Sequence, residues 1–581
     1  MKAFFLKSTV LVFLASAALS VGAKPAEVQL MQSAQWDNPL KGNLQIAAGT
    51  ATTAISGKLT VPFLVLSPVA ANRMAESTRP DSNRVALSDA VFFYGLAGLL
   101  IFAPLIWGGI VPLPLLVMEL AALALLAGQF WQPSRANPLL SWPMRIFLAS
   151  LLLLPLAQLL PVPLELWASL PGRAFYAEAL QQAGAGGPGF EWRAISLVPA
   201  TTESAGLALL PPLAVFITAL ALRSRMLLKL VWVFLGIAAG QALLGLIQYG
   251  DGTDSPFRFG VALSGSSATG TYVNRNHLAG LLEMALPLAL GLLAVSVGQS
   301  PRHHVSQRQH GWQRWLARLN AARFNQALLF GAVALAILLG LIFTRSRSGV
   351  MLAMLGILLC TLLFANRLGG RNVYGLLGTL TAIGIGLASL IGLAPVLDRF
   401  TMQDPVADGR WLIFDVTTQA MGQFFPLGSG AGTFEAVMRR FHPADLPGVI
   451  INYAHNDYLE WLLEAGLGAG LLIAAGLALY VRQWARVWRR GAWTPFQFTQ
   501  AGAGIALLLM MLHTLVDFNL HIPANAVFTA FLAAVFFHPA AEKEQRPSQQ
   551  RKSSSDSEGS EKLPPPPRTI PPENRMNPFE L

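Results

Sequence analysis

Three short stretches carry the residue types that polar-group transfer needs. His455-Asn456-Asp457-Tyr458-Leu459-Glu460-Trp461 opens a long apolar run. Asp457, Glu460 and Glu464 stand at i, i+3 and i+7, so a helix there carries three carboxyls on one face. That face must point into a polar interior or a loop, because acids facing lipid are costly. His455 lies at the helix start, where the positive end of the dipole disfavours a protonated imidazole. A neutral imidazole can accept a proton, so His455 is a candidate general base. The plainer reading is a capping or interfacial histidine.

Thr344-Arg345-Ser346-Arg347-Ser348-Gly349 joins two charge-free apolar runs. A guanidinium fork matches two phosphate oxygens, so Arg345 and Arg347 suit a diphosphate clamp. Snorkelling to lipid headgroups is the competing reading. Asn274-Arg275-Asn276-His277 opens another run, with Glu283 two turns further on, and Arg410-Trp411 stands in a long polar stretch. His513, Asp517 and His521 form a third cluster. Their spacing fits no familiar ligand motif, which favours a hydrogen-bonded turn over a metal site.

No Gly-x4-Gly-Lys-Ser/Thr loop and no dinucleotide glycine fingerprint with an acidic partner is present. The single cysteine, Cys360, excludes an intramolecular disulfide and any cysteine-based zinc or iron–sulfur site. What remains is Arg, His and Asn, which suits an anionic lipid-phosphate donor whose leaving group is a diphosphate.

The elements that must position these groups are membrane helices. Of 581 residues, 54% are apolar and 12% charged, against about 25% charged in a soluble domain. That excludes a single soluble domain, a disordered chain and a nucleic-acid-binding module. A span needs about 20 mostly apolar residues. Twelve candidates follow residue 85, near 90–110, 112–132, 144–162, 205–222, 227–247, 277–298, 327–343, 349–366, 373–397, 458–481, 498–516 and 522–538. The expected fold class is an all-α polytopic membrane protein of about 12 transmembrane helices, with a large outer loop, 398–457, between helices 9 and 10.

Charge orients the bundle. Loops 133–146, 223–229, 299–326, 367–372 and 482–497 hold sixteen basic residues and no Asp or Glu. The positive-inside rule makes them cytoplasmic, and it reads the net charge of +11 as orientation. Loops 163–204, 248–276 and 398–457 then face outward with the turns 344–348 and 517–521, and the candidate chemistry is outside. Loop 398–457 is long and punctuated by Gly428, Gly430 and Gly432, and it contains Arg399, Arg410, His442 and His455. Long loops of this kind are usually functional.

The ends differ from the bundle. Residues 1–23 resemble a secretory signal, with Lys2 and Lys7 before an apolar stretch and Val21-Gly22-Ala23 at a small-residue site. A cleaved signal would leave 24–85 outside, whereas the charges want them inside; either a start at Met74, the favoured reading, or an extra span at 1–23 that alters the count would resolve the conflict. Residues 1–85 are thus read as an extension, 86–540 as the membrane domain, and 541–581, with Pro564 to Pro567, as a disordered cytoplasmic tail.

Several motifs together carry a family likeness. His455-Asn456 is followed by nine residues and Gly466, then Ala469-Gly470. Thr344-Arg345-Ser346-Arg347-Ser348-Gly349, the Asn-Arg-Asn-His stretch, Pro426-Leu427-Gly428-Ser429-Gly430-Ala431-Gly432-Thr433-Phe434, Asp517-Phe518 to Pro523-Ala524-Asn525 and Ala103-Pro104-Leu105-Ile106-Trp107-Gly108-Gly109 accompany it. From about residue 90 to 538 the chain resembles the O-antigen ligase and polymerase superfamily of bacterial envelope glycan enzymes. Ala469 replaces a family glycine, and Ser348 precedes the glycine of the family's Ser-Arg-Gly turn.

The resemblance implies a metal-independent, cofactor-free membrane glycosyltransferase of the C type, in the bacterial inner membrane with its active site facing the periplasm. The donor would be a glycan on undecaprenyl diphosphate. The acceptor would be a lipid A–core sugar, another lipid-linked glycan or a protein hydroxyl; no nucleic acid is implied. Arg347 and Arg410 would bind the diphosphate. His455 would deprotonate or orient the acceptor hydroxyl, with Arg275, Arg345 and Asn456 as further substrate contacts. Two other readings compete: a transporter, disfavoured because the polar groups lie at the outer ends rather than at mid-membrane, and a non-catalytic subunit of a polysaccharide assembly machine, disfavoured by intact Arg347, Arg410 and His455.

Overall fold

A computed structural model describes residues 82–131, 140–184, 191–259, 267–298, 321–368, 378, 405–489 and 493–539. All lie in one unit beginning at Pro80. The signal-like start, the Met74 alternative, the tail and the span expected at 373–397 lie outside the described residues, apart from residue 378.

The helices are α1 (Ser82–Phe102), α2 (Pro112–Trp131), α3 (Trp142–Gln158), α4 (Leu164–Ser169), α5 (Ala174–Gln182), α6 (Pro199–Ala208), α7 (Leu210–Ala221), α8 (Ser224–Asp251), α9 (Arg275–Gly298), α10 (Ala321–Thr344), α11 (Arg347–Leu368), α12 (Pro405–Phe424), α13 (Phe434–Phe441), α14 (Asp457–Trp488), α15 (Pro495–His513) and α16 (Pro523–Phe537). Among the described residues, one short antiparallel pair, β1 (Pro161–Pro163) with β2 (Trp192–Ala194), lies within an all-α membrane architecture. Eight described helical segments are long and apolar enough to cross a membrane, and three apolar helices are shorter, at Ser88–Phe102, Trp142–Gln158 and Pro523–Phe537. The chain is a multi-pass membrane protein.

Local sequence sets the boundaries. Proline opens α2, α6, α15 and α16, where its missing N–H costs nothing. Thr494 and Gln497 form a reciprocal capping box at α15. The span expected at 205–222 falls in one apolar segment, Pro199–Ala221, kinked between α6 and α7 where Pro211 and Pro212 remove N–H groups from the ladder. The expected outer loop is also partly helical: α12 and α13 lie in it, and with the start of α14 they build a small second core around Phe424, Phe434, Val437, Met438 and Leu463.

The elements meet at two ends. At one, Arg223 pairs with Asp89 at 3.2 Å, His538 bonds the Leu222 carbonyl, and Arg367 donates to the Trp488 carbonyl. At the other, Thr271 donates to the Pro104 carbonyl, Tyr272 to Asn525, Asn276 to Asp517, and Ser348 meets His513. α9 stands at the centre, with 94% of its apolar window buried. It packs against α8, α10, α11 and α15.

Candidate active site

The site is organised by the turn between α15 and α16. α15 ends at His513, and the Val516 and Asp517 N–H groups close back onto the His513 carbonyl. This turn delivers the Asp517 carboxylate, fully buried, into a polar junction. Asn276, in the first turn of α9, donates to Oδ2 at 2.6 Å. The Phe518 N–H donates to Oδ1 at 2.9 Å. The Arg410 guanidinium, from α12, lies 3.9 Å from Oδ2, and His455 Nδ1 lies 3.5 Å from Oδ1. Burial alone would push this carboxyl's pKa up. The His455 contact and the charges of His277, Arg410 and His513 outweigh it and hold Asp517 well below the usual carboxylate range.

His455 stands just before α14 with φ of 53°, a left-handed conformation unusual for a residue with a Cβ. Of the four non-glycine residues at positive φ among the described residues, two are His455 and Arg345. Such backbone persists where surrounding structure determines it, and it clusters at functional sites. The imidazole stands edge-on to Phe518, 5.0 Å between centroids, and Phe518 in turn stacks flat on Tyr453 at 4.1 Å. Nδ1 is buried toward Asp517, while a quarter of the side chain stays exposed. That geometry leaves Nε2 as the nitrogen for an incoming hydroxyl. Arg410 is similarly placed: Nη1 donates to the Val516 carbonyl at 3.0 Å, and 27% of its side chain is open.

The acidic face of α14 turns inward. Asp457 Oδ1 and Glu460 Oε1 hold the two nitrogens of His521 at 2.6 and 3.2 Å. Burial works against protonation of His521, but the Glu460 and Asp457 charges win and raise its pKa to about 10. Glu460 also accepts the Ala454 N–H, and Glu464 the Phe434 N–H.

Two glycines let the outer loop dock on α14. Gly466 breaks the helix at φ 53°, and the Leu467 N–H turns to the Pro426 carbonyl at 2.9 Å. A Cβ at Gly466 would strike that carbonyl, and one at Gly428, φ 81°, would strike the Glu464 carbonyl. Arg173 ties the 163–204 loop to the same place, donating to the Gly428 and Ile195 carbonyls. Gln158 bridges Glu464 and Ala431.

The residues expected from sequence fare differently. His455 and Arg410 come together on Asp517. Arg347 opens α11 and Arg275 opens α9, both half-buried at this end. Arg345 lies over the Tyr249 ring, 5.4 Å from its centroid. Asn456 caps α14, its Oδ1 accepting the Tyr458 and Leu459 N–H groups, so that oxygen is occupied in holding the helix start. His513, Asp517 and His521 each turn to different partners, and among the described residues no three His, Cys, Asp or Glu are grouped to hold a metal ion.

Sequence reasoning did not assign roles to Asp517, Asn276 or Ser348. It also missed the pair that joins Ser348 to Glu283: His513 Nε2 lies 2.9 Å from Ser348 Oγ, and His513 Nδ1 lies 2.9 and 3.0 Å from the two Glu283 oxygens. The signal for it was Glu283 itself, an acid within an apolar run.

Fold and site together define a multi-pass helical membrane protein with a site of paired arginine, histidine and carboxylate groups at one end of its bundle. Residues 332–474 match the family model described as O-antigen ligase. That quarter of the chain runs from α10 into α14 and carries the 344–349 turn, Arg410 and His455. This supports the likeness read from the motifs. No curated protein matches the chain.

Proposed function

We propose that this protein is a glycan transferase of the inner membrane that moves or polymerises an undecaprenyl-diphosphate-linked glycan on the periplasmic face. The family match supports membrane glycan transfer of the O-antigen ligase or polymerase kind. The observation that carries the site is the convergence of His455, Arg410 and Asn276 on the buried Asp517. An ionised Asp517 stabilises a proton arriving on His455 and orients the ring. The acceptor hydroxyl oxygen attacks the anomeric carbon, its proton passes to His455 Nε2, and the bond to the diphosphate oxygen breaks. Arg410 and Arg347 receive the charge developing on the leaving diphosphate, as forked donors suit phosphate oxygens. The donor lipid and the acceptor, whether lipid A–core sugar, lipid-linked glycan or protein hydroxyl, meet at the membrane surface.

The test is transfer from a purified lipid-linked glycan in proteoliposomes. His455→Ala should lower the rate at saturating donor by about 10²–10⁴, the usual contribution of general-base catalysis, with donor binding little changed. His442, which bonds the Pro443 and Val449 carbonyls outside this junction, serves as the control. Weakened donor binding with turnover intact would make His455 a binding residue. A deletion strain separates the acceptors: shortened polymer at normal capping marks a polymerase, and full-length lipid-linked polymer accumulating without transfer marks a ligase.

A further inference from the structure

We infer that Ser348, backed by His513 and Glu283, is a second proton-carrying unit that serves the leaving diphosphate while His455 serves the acceptor. The inference rests on the transferase reading above. Three elements build the unit: Glu283 from α9, His513 from the end of α15, and Ser348 from the first turn of α11. His513 and Glu283 have no exposed side-chain surface. A carboxyl on the most buried helix of a membrane bundle is costly, and such residues mark proton relays and substrate paths. A structural carboxyl would need only a partner. Here the partner's second nitrogen is aimed at a hydroxyl, 2.9 Å away.

The chain of hydrogen bonds runs from the bundle interior to the hydroxyl of Ser348, a half-buried residue. That hydroxyl is flanked by the turn that carries Arg345 and Arg347, the candidate diphosphate ligands. Ser346 fixes the turn, its Oγ accepting the Gly349 N–H and lying 3.3 Å from Ser348 Oγ.

The polarity follows from the partners. With Nδ1 facing the Glu283 carboxylate, a protonated His513 donates through Nε2 to Ser348 Oγ and turns the Ser348 proton outward. As the anomeric carbon–oxygen bond breaks, its electron pair goes to the diphosphate oxygen. That oxygen takes the Ser348 proton, and Ser348 takes one from His513 Nε2. The acceptor's proton is on His455. Exchange with solvent after product release returns both histidines to their starting states. Ser348 touches the substrate; His513 and Glu283 act through it. The charged and titratable groups around His513 are Glu283 and His277 on α9, Arg410 on α12 and Asp517 in the following turn. Asp457 of α14 faces His521 instead.

The experiment is a rate–pH profile at saturating donor and acceptor with the full chain in proteoliposomes. Wild type should lose rate on the alkaline side as His513 gives up its proton. Ser348→Ala and His513→Gln should lose about 10²-fold at neutral pH, the lower end of what a positioned proton donor contributes. They should also lose that alkaline fall, with the donor KM little changed. Ser348→Thr should recover most of the rate. Glu283→Gln should lower the rate as well, because His513 loses the group that holds its Nδ1. A Ser348→Ala profile like wild type, or a change confined to the donor KM, overturns the inference. So does an equal loss in the Thr variant. Absence of any transfer by wild type would instead sink the transferase reading, and this inference with it.

Discussion

Asp517→Asn isolates the charge that organises the site. Asp517 uses each oxygen twice: Oδ2 meets Asn276 and Arg410, and Oδ1 meets the Phe518 N–H and His455. An amide nearly keeps the shape but carries no charge, so both Arg410 and His455 lose their anion. Charges 3.5 Å apart interact by about 5 kcal/mol at an effective dielectric of about 20. A quarter of the His455 side chain is open to solvent, which screens part of this. A surviving effect of about 3–4 kcal/mol on the protonated imidazole corresponds to roughly 10²–10³ in rate, at about 1.4 kcal/mol per decade. The assay is the initial rate of glycan transfer at saturating donor and acceptor, with thermal unfolding alongside. A variant within fivefold of wild type, with unchanged unfolding, would refute the orienting role.

Gly466→Ala should unfold at lower temperature and expose the 425–434 segment to protease, because φ of 53° and the Pro426 carbonyl leave no room for a Cβ; Gly470→Ala, whose Cβ would meet only Leu462 at 3.6 Å, should be near neutral. His521 has its pKa raised to about 10 by Glu460 and Asp457 against burial, so its contribution to stability is complete below about pH 6.5 and lost as pH rises toward 10. Thermal unfolding of wild type should show that alkaline loss, and His521→Gln should flatten it. Arg410→Lys keeps the charge but loses the fork and should cost about ten- to a hundredfold in transfer, measured against normal membrane insertion. Cysteine at the exposed position Ile450 should react with an impermeant reagent from outside in a spheroplast, and protection there would reverse the orientation.

Much of the scaffold was legible because membrane helices announce themselves locally. An uninterrupted apolar run of about 20 residues has few alternatives, so α9, α10 and α11 fall where the sequence places them. The misses have local physical causes as well. Pro211 and Pro212 kink the span Pro199–Ala221 between α6 and α7 without ending it, a detail its hydropathy does not show. The three-residue strands β1 and β2 exist because Pro161 to Pro163 pairs with Trp192 to Ala194, a partnership no single-strand pattern reveals. α12 mixes Arg410 and Asp415 with apolar residues and reads as loop until it packs on α14.

The site was legible in its residue types and not in its pairings. His455 and Asn456 are adjacent in sequence and do different things. The left-handed φ of His455 aims its ring at Asp517, while Asn456 points back to cap α14. Asp517 is 62 positions from His455, and nothing local distinguishes it from a turn aspartate. Glu283 and His513 are separated by 230 positions, so only the packing of α15 on α9 makes them a pair.

The placement of the acids answers an electrostatic difficulty that the sequence alone poses. On the proposed transferase function, a diphosphate donor would approach an end of the bundle that holds Asp457, Glu460, Glu464, Asp517 and Glu283, and like charges there would repel it. Each acid is already engaged. Asp457 and Glu460 grip His521, Glu464 takes the Phe434 N–H, Glu283 grips His513, and Asp517 faces Arg410, Asn276 and His455. Charged groups satisfied in this way screen one another over the few ångströms that matter, and fixed dipoles do not reorganise when charge develops. The same pairing places the two histidines differently: His455 keeps a partly open ring beside the Asp517 carboxylate, whereas His513 is enclosed between Glu283 and the Ser348 hydroxyl.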